Sequence, residues 1–426
     1  MNTPICNFLE RYTDENKLRL HMPGHKGEYP HDITEIYGAD SLYESDVSRG
    51  IIGTSENNAE KVFGSEKTFY SCEGSTLSIQ AALAVLKSQG VNTIAASRYS
   101  HRALASAAAL LHINIKWLYP EEYMSANVKY NADALKGADA VFITNIDYYG
   151  GTWDHADPGI PALIDNAHGA YLKFMDKRIF GSRYLHPLEL EFPLISAESA
   201  HKTLPVLTGG AYLHFSAGTD YSRAKEMMAM FGTSSPSYLI LESLDRFNSL
   251  ITDNSQMVNN ACAAVQNLKK RLIRSGIPIK DSDPMRIVID AAECGVTGFE
   301  YARRIRAKGI ECEMADENNV ILLFSAQTNI GDCERAETNI LLVPMRPPKE
   351  HIKFPHIHAK QELPMWEAMF MPCEEVSVEH AAERVCAAVK APCPPGIPLV
   401  FPGERIDHET ADILKMHNVS SVLVVK

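Results

Sequence analysis

No stretch of the 426 residues stays apolar for the ~20 positions that a membrane-spanning helix requires, so no membrane span is expected. The opening segment, MNTPICNFLERYTDENK, has no basic run followed by an apolar one, and so lacks the pattern of a secretory leader. Cysteine is scattered: there are nine, an odd number, with no C-x-x-C pair among them. That spacing speaks against both a disulfide scaffold and a zinc ribbon. Clustered lysine and arginine are missing too. At a formal net charge of -12 the chain has no basic patch to neutralise phosphates, and nucleic acid is not an expected partner. The expectation is a protein of the reducing cytoplasm.

What is present is the composition of a globular chain with a buried core, 45% hydrophobic and 22% charged, rather than of a disordered one. A chain of this length calls for more than one domain. The acidic balance would mildly attract a cationic small molecule, but it serves solubility equally well. Residues 1–55 read as an irregular arm that contains the loop-forming run HMPGHKG at 21–27. Residues 56–255 read as a large domain and 256–346 as a smaller α/β domain. The remainder, 347–426, is a proline-rich tail region whose APCPPGIP run at 391–398 excludes helix.

Short apolar runs alternate with helical stretches through the first half. Strands are expected at 93–96, 115–118, 140–144, 162–165 and 194–197, with helices between them, which implies βαβ units and a mainly parallel sheet. The run 210–215 follows the last of these so closely that it should return antiparallel. A helix is expected from Ser75 to Leu86, opened by the Glu73-Gly74-Ser75-Thr76 turn, and a long or broken helix at 237–275. The smaller domain should hold strands at 286–290, 309–313 and 319–324 and a helix at 298–307.

Two side chains follow directly on buried apolar strands: Asp165 in ALIDNAHGAY and Lys202 in SAESAHKTLPVLTGG. In open α/β sheets ligands bind beyond the carboxyl ends of strands. An amine and a carboxylate delivered there are what pyridoxal phosphate needs, the amine to bond the aldehyde carbon and the carboxylate to keep the ring nitrogen protonated. Taken alone, Lys202 is an ordinary loop lysine; its company makes the case. Gly74, Ser75 and Thr76 open a helix, where fresh backbone amides favour phosphate, although any Ser-Thr pair there also reads as a plain helix cap. His101, after the strand at 93–96, is placed to lie over an aromatic ring or simply to begin the next helix. His356 and His358 have ligand-like spacing without supporting cysteines or carboxylates, and no metal is expected.

Several separated segments then match a known family in order: LHMPGHKG at 20–27, DITEIYGADSLYE at 32–44, FGSEKTFYSCEGST at 63–76, DNAHGAY at 165–171, SAHKTLPVLTGGAYLH at 199–214, TSSPSYLILESLD at 233–245 and PPGIPLVFPGERI at 394–406. The sequence resembles the fold-type I ornithine/lysine/arginine decarboxylases in their short bacterial form, without the N-terminal receiver-like domain of the long members. The resemblance runs nearly end to end and is weakest at about 255–360. It implies an aspartate-aminotransferase-like large domain and a smaller C-terminal α/β domain, with pyridoxal 5'-phosphate as cofactor. It makes Lys202 the Schiff-base lysine, Asp165 the pyridinium partner, His101 the ring-stacking histidine and His168 a residue close to the ring. Ser75, Thr76, Ser199 and His201 become phosphate contacts. Thr233, Ser234 and Ser235 would reach the phosphate region of a partner's site, since relatives share sites in a homodimer or a higher even assembly.

The implied reaction is decarboxylation of lysine, arginine or ornithine to a primary amine of the polyamine type. Asp40, Glu44, Asp46 and Glu404 are candidates for holding the distal charge of such a substrate. Two departures stand out: Glu73 replaces the asparagine usual before the glycine turn, and Pro364-Met365-Trp366-Glu367-Ala368 replaces a Pro-Arg-Glu-Ala pattern. An aminotransferase would use Lys202 and Asp165 equally well, and a degenerate regulatory homologue would tolerate both departures, so these alternatives stay open.

Overall fold

The computed structural model describes residues 1–34, 50–390 and 397–426. Asp40, Glu44, Asp46 and the Pro394–Gly396 part of the C-terminal motif lie outside the described residues. Among the described residues seven strands fall in the first half of the chain: β1 (Lys67–Ser71), β2 (Thr93–Ser97), β3 (Asn114–Leu118), β4 (Ala140–Thr144), β5 (Ala162–Asp165), β6 (Leu194–Glu198) and β7 (Ala211–Phe215). Eight shorter or later ones follow: β8 (Ile279–Lys280), β9 (Arg286–Asp290), β10 (Met314–Ala315), β11 (Asn319–Leu323), β12 (Cys373–Ser377), β13 (Arg384–Val385), β14 (Arg405–Ile406) and β15 (Ser421–Val425). The first four helices are α1 (Pro4–Asp14), α2 (Ile51–Phe63), α3 (Gly74–Ser88) and α4 (Arg102–Leu111).

The chain divides into two compact units that are discontinuous in sequence. The first comprises Met1–Gln89, Pro161–Ala263 and Ser325–Thr328; the second comprises Gly90–Ile160, Ala264–Phe324 and Asn329–Lys426. This division differs from the contiguous blocks expected from composition, because segments of both units alternate along the chain.

In the first unit β5 and β6 run parallel, and β7 returns antiparallel on β6, as its closeness in sequence predicts. β1, which the sequence reading passed over, pairs antiparallel with β7 from Lys67 opposite Phe215 to Ser71 opposite Ala211. Its last four residues are all buried, so it has none of the alternation that marks a half-buried strand. α3 packs on β5, β6 and β7 and buries Leu77, Ala81, Ala84 and Val85, along with most of its remaining middle residues.

The expected irregular arm is corrected at its start. α1 buries Ile5, Cys6, Leu9 and Tyr12, a helical stripe that a proline at the first turn pre-organises. Its orphan amides are met from far away in sequence: Asp245 Oδ2 accepts from Ile5 N at 2.9 Å and from Cys6 N at 3.0 Å. The first fourteen residues therefore seat on their own unit. The long helix expected at 237–275 is a broken pair, Tyr238–Asp253 and Met257–Arg274.

In the second unit β2 runs parallel to both β3 and β4, and α4 follows β2. A separate antiparallel sheet has the order β10-β11-β9-β8. Its hydrophobic cluster gathers Leu268, Leu272, Ile287, Ile289, Tyr301, Ile305 and Val320. The strand expected at 309–313 does not form. Gly309 N and Ile310 N donate back to the carbonyls of Arg306 and Ile305, ending the helix Gly298–Arg306 with Gly309 at φ +82°, and only Met314–Ala315 remains to pair with β11. Towards the C-terminus β12 pairs antiparallel with β15 and β13 with β14.

Candidate active site

β5 ends in Asp165 and β6 leads into Ser199-Ala200-His201-Lys202, so two neighbouring parallel strands deliver the carboxylate and the amine to the same edge. The residues Ala200–Thr203 form a single helical turn. It holds Lys202 Nζ at 2.8 Å from His168 Nε2. An ammonium has only donors, so in its charged form Lys202 donates and His168 accepts, which leaves the imidazole proton on Nδ1. Asp165 and His168 are buried, while Lys202 keeps partial access to solvent.

Burial pushes the Asp165 carboxyl above its ordinary value, and the Lys202 charge and the Ala167 amide oppose that rise. A second cation against Asp165, such as a protonated ring nitrogen, would further favour its anionic form. Burial likewise lowers the His201 pKa, countered by its bond to Gly210 and assisted by Lys202. His201 Nδ1 sits 3.0 Å from the Gly210 carbonyl, which accepts from it.

The start of α3 lies against the same turn. Ser199 Oγ donates to Ser75 Oγ at 2.8 Å. Gly74 takes φ +70° and its amide donates to Gly209 O at 2.8 Å. Gly209 is itself required: at φ +96° a Cβ there would come within 2.7 Å of the Cys72 carbonyl. Glu73, at the N-cap, contributes no side-chain cap. Instead its Oε1 accepts from Thr233 N at 2.7 Å, so the carboxylate is turned to a backbone amide of the 233–235 loop. Thr233, Ser234 and Ser235 are exposed, and the Thr233 hydroxyl accepts from Ser235 N.

The structure thus brings Asp165, His168, Ser199, Lys202, Gly74 and Ser75 together within the first unit, with Thr76 exposed on the first turn of α3. His101 stands in the second unit, where its Nδ1 accepts from Ala103 N and caps α4. Glu404 is corrected as a substrate ligand: it is 1% exposed, and its Oε2 accepts from Arg98 Nη2 at 2.9 Å and Phe401 N at 2.8 Å. Its charge is already used. His356 belongs to an aromatic group with Tyr99, Tyr119 and Tyr123. Among the described residues no group of three or more His, Cys, Asp or Glu side chains is arranged to hold a metal ion, and no helix is long and apolar enough to cross a membrane.

The residues at this edge suit pyridoxal phosphate on their own chemistry: an amine with a hydrogen-bond acceptor beside it, a buried carboxylate, and hydroxyls at a helix start. Such a fold and donor set define a fold-type I pyridoxal-phosphate enzyme. The chain belongs to the Orn/Lys/Arg decarboxylase family: the model of the family's major domain matches residues 3–291 and that of its C-terminal domain residues 350–421. It is accordingly a pyridoxal-phosphate-dependent amino-acid decarboxylase.

The uncharacterized protein YaaO of Bacillus subtilis (strain 168) is 27% identical, over 97% of this chain and 94% of its own. The arginine decarboxylase of the same organism is 23% identical over 96% and 92%. Among solved structures, the Francisella novicida lysine decarboxylase LdcF superposes with a TM-score of 0.80 at 16% identity, covering 100% of this chain and 81% of that one. At that identity the likeness is one of fold.

Proposed function

We propose that this chain removes the α-carboxylate of a basic amino acid as carbon dioxide, yielding a primary amine in the cytoplasm, and that Lys202 is the residue that carries the cofactor. The observation that supports this most directly is the 2.8 Å contact of Lys202 Nζ with His168 Nε2 beside the buried Asp165. When bound, the cofactor supplies an electron sink for the bond that breaks at Cα. The protein residues do the rest. His168 accepts from the Lys202 amine and orients it, Asp165 holds a proton on the ring nitrogen by its negative charge, and Ser75, Thr76, Ser199 and His201 bind the phosphate. His101 is assigned the ring face by resemblance.

Arginine is the first substrate to test, because the chain is similar to four proteins named arginine decarboxylase at 23–24% identity, and lysine and ornithine follow. With Glu404 committed to Arg98, the acidic candidates for the distal charge are Asp40, Glu44 and Asp46.

The test incubates cofactor-loaded protein with arginine, lysine and ornithine in turn and identifies the amine by mass. Borohydride reduction of the loaded protein without substrate should tag a single peptide, the one containing Lys202. A tag on another lysine sinks the assignment of Lys202, and no amine from any of the three sinks the reading of the substrate class.

A further inference from the structure

Lys202 stands on a single helical turn, Ala200–Thr203. A turn of that length does not hold itself, because the first helical turn is unfavourable to form and the carbonyls at its end have no partners within it. Its bonds to other segments therefore decide where the Lys202 amine points. On one side of the lysine, His201 N donates to Gly210 O at 3.2 Å. On the other, Thr203 is buried and its hydroxyl meets no hydrogen-bond partner among the described residues. The Thr203 carbonyl is the tether instead, accepting from Ala326 N at 2.8 Å. Lys202 is thus bracketed by two backbone bonds, one on each adjacent residue, and the second comes from far along the chain.

The distant partner is the turn Ser325–Thr328, which folds with the first unit although the residues before and after it fold with the second. It follows β11 and precedes the helix Ile330–Leu341. The turn closes on itself. Thr328 N donates to Ser325 O at 2.9 Å, Thr328 Oγ1 accepts from Ser325 N at 3.1 Å, and Ser325 Oγ accepts from Gln327 N at 3.3 Å. Hydroxyls that bond nearby amides in this way set the shape of a turn. With the Ser325, Gln327 and Thr328 amides used internally, the amide of the buried Ala326 is the one that reaches Thr203. Immediately afterwards Asn329 and Asp332 cap the next helix reciprocally, which fixes the exit of the turn as well.

We infer that Ser325–Thr328 is a positioning element for Lys202: the Ala326 amide fixes the carbonyl beside the lysine, and the Ser325 and Thr328 hydroxyls aim that amide. The inference rests on the proposed role of Lys202. A backbone tether suits the task, since a misplacement of ~1 Å at a reacting group costs about a hundredfold in rate, and Lys202 Nζ has a 2.8 Å contact with His168 Nε2 to keep. His168, Asp165 and His201 are the titratable groups that act on the amine. The turn contains none, so a change in it alters no charge and reaches the amine through geometry alone.

The test uses the full-length chain in four variants. Ala326→Pro deletes the amide, Thr328→Val keeps the shape and deletes the hydroxyl, and Thr328→Ser keeps the hydroxyl. Val320→Ala, a large-to-small change in the cluster that packs β11, is a control that lowers stability without altering the turn. Three quantities are read: the melting midpoint of the cofactor-free protein, the dissociation constant of pyridoxal phosphate by absorbance titration, and the pH midpoint of the visible band of the loaded protein. Ala326→Pro should weaken cofactor binding about tenfold, the equivalent of one hydrogen bond, and move the pH midpoint. Thr328→Val should change both in the same direction, while Thr328→Ser and Val320→Ala leave the pH midpoint at the parent's value. Unchanged affinity and pH midpoint in the first two variants, with only a lower melting temperature, would reduce the turn to a structural feature and overturn the inference. An equal shift in Val320→Ala would overturn it too, because lost stability would then suffice. If Ala326→Pro does not fold, the contrast between Thr328→Val and Thr328→Ser decides alone on the same readouts. If the unmodified protein shows no visible band and no borohydride tag on Lys202, the underlying site reading fails, and the inference falls with it.

Discussion

The assignment of Glu404 to the core rather than to the substrate has a measurable consequence. Arg98 and Glu404 are 1% and 2% exposed at their side chains and lie 2.9 Å apart. Arg98 also donates to Leu399 O at 2.9 Å, and its guanidinium stands 4.2 Å from the centre of the Phe401 ring and 5.3 Å from that of Trp117. Glu404→Gln keeps the shape and removes the charge, leaving a buried guanidinium without its counter-ion. Removing one partner of such a pair costs about 3–5 kcal/mol, which for a domain of this size lowers the melting midpoint on the order of 10 °C. Replacing both partners by apolar residues, Arg98→Met with Glu404→Leu, should recover most of that loss, since no charge is then stranded. Calorimetry on the cofactor-free chain reads the midpoints, and steady-state kinetics with arginine, lysine and ornithine read KM. The expected outcome is a large thermal loss with KM unchanged in the folded fraction. A Glu404→Gln protein that melts like the parent but binds basic substrates poorly would refute it and return Glu404 to the substrate pocket.

Two further outcomes follow from the same physics. Burial depresses the His214 pKa from 6.5 to about 4, so the folded state resists a proton that the unfolded chain accepts. His214's contribution to stability is complete above pH 6.5 and is lost as pH falls through the window down to about 4, the loss reaching about 2 kcal/mol by pH 5; urea midpoints should fall less from pH 7 to pH 5 for His214→Phe than for the parent, and equal falls would remove His214 as the cause. For the proposed dimer, a Lys202→Ala chain mixed with one altered at Ser234 and Ser235 should regain part of the activity after subunit exchange, and no recovery despite demonstrated exchange would mean that each chain completes its own site.

The strands that carry the site were legible because each is an unbroken apolar run: ALID before Asn166, and LISA before the turn that holds Lys202. Burial on both faces makes such runs stand out, and the chemistry follows at once on their carboxyl ends. What escaped reading is held together across long separations. α1 has a visible apolar stripe, but the carboxylate that caps it comes from Asp245. β12, Cys-Glu-Glu-Val-Ser, is mostly exposed and becomes a strand only by pairing with β15. Glu198, His186 and His214 lie buried together, His186 Nε2 at 2.9 Å and His214 Nε2 at 3.8 Å from the Glu198 carboxylate. Each is unremarkable in sequence, because the signal of a buried cluster lies in which strands are neighbours, and β1 beside β7 was not foreseen. The resemblance names residues expected at the cofactor and has no means of naming a buried cluster of this kind.

The two departures from the family pattern bear on whether the chain has lost its chemistry. Glu73 would repel a phosphate only if its carboxylate faced the start of α3, and it is instead bonded to the Thr233 amide. It thereby ties the 233–235 loop to the turn that opens α3 by a charge-assisted bond. Where the resemblance expects arginine near position 365, Met365 is buried with Ala105, Ala109 and Phe401, and Trp366 stacks on His112 at 5.0 Å and 6° between planes. An arginine there would bring a charge into an apolar contact with α4, so the replacement is a packing solution local to that helix. Neither change touches Asp165, His168 or Lys202. Degeneration would release the proposed reactive residues first, whereas here Asp165, His168 and Lys202 stand together and the departures have contacts of their own. That pattern argues for a working enzyme.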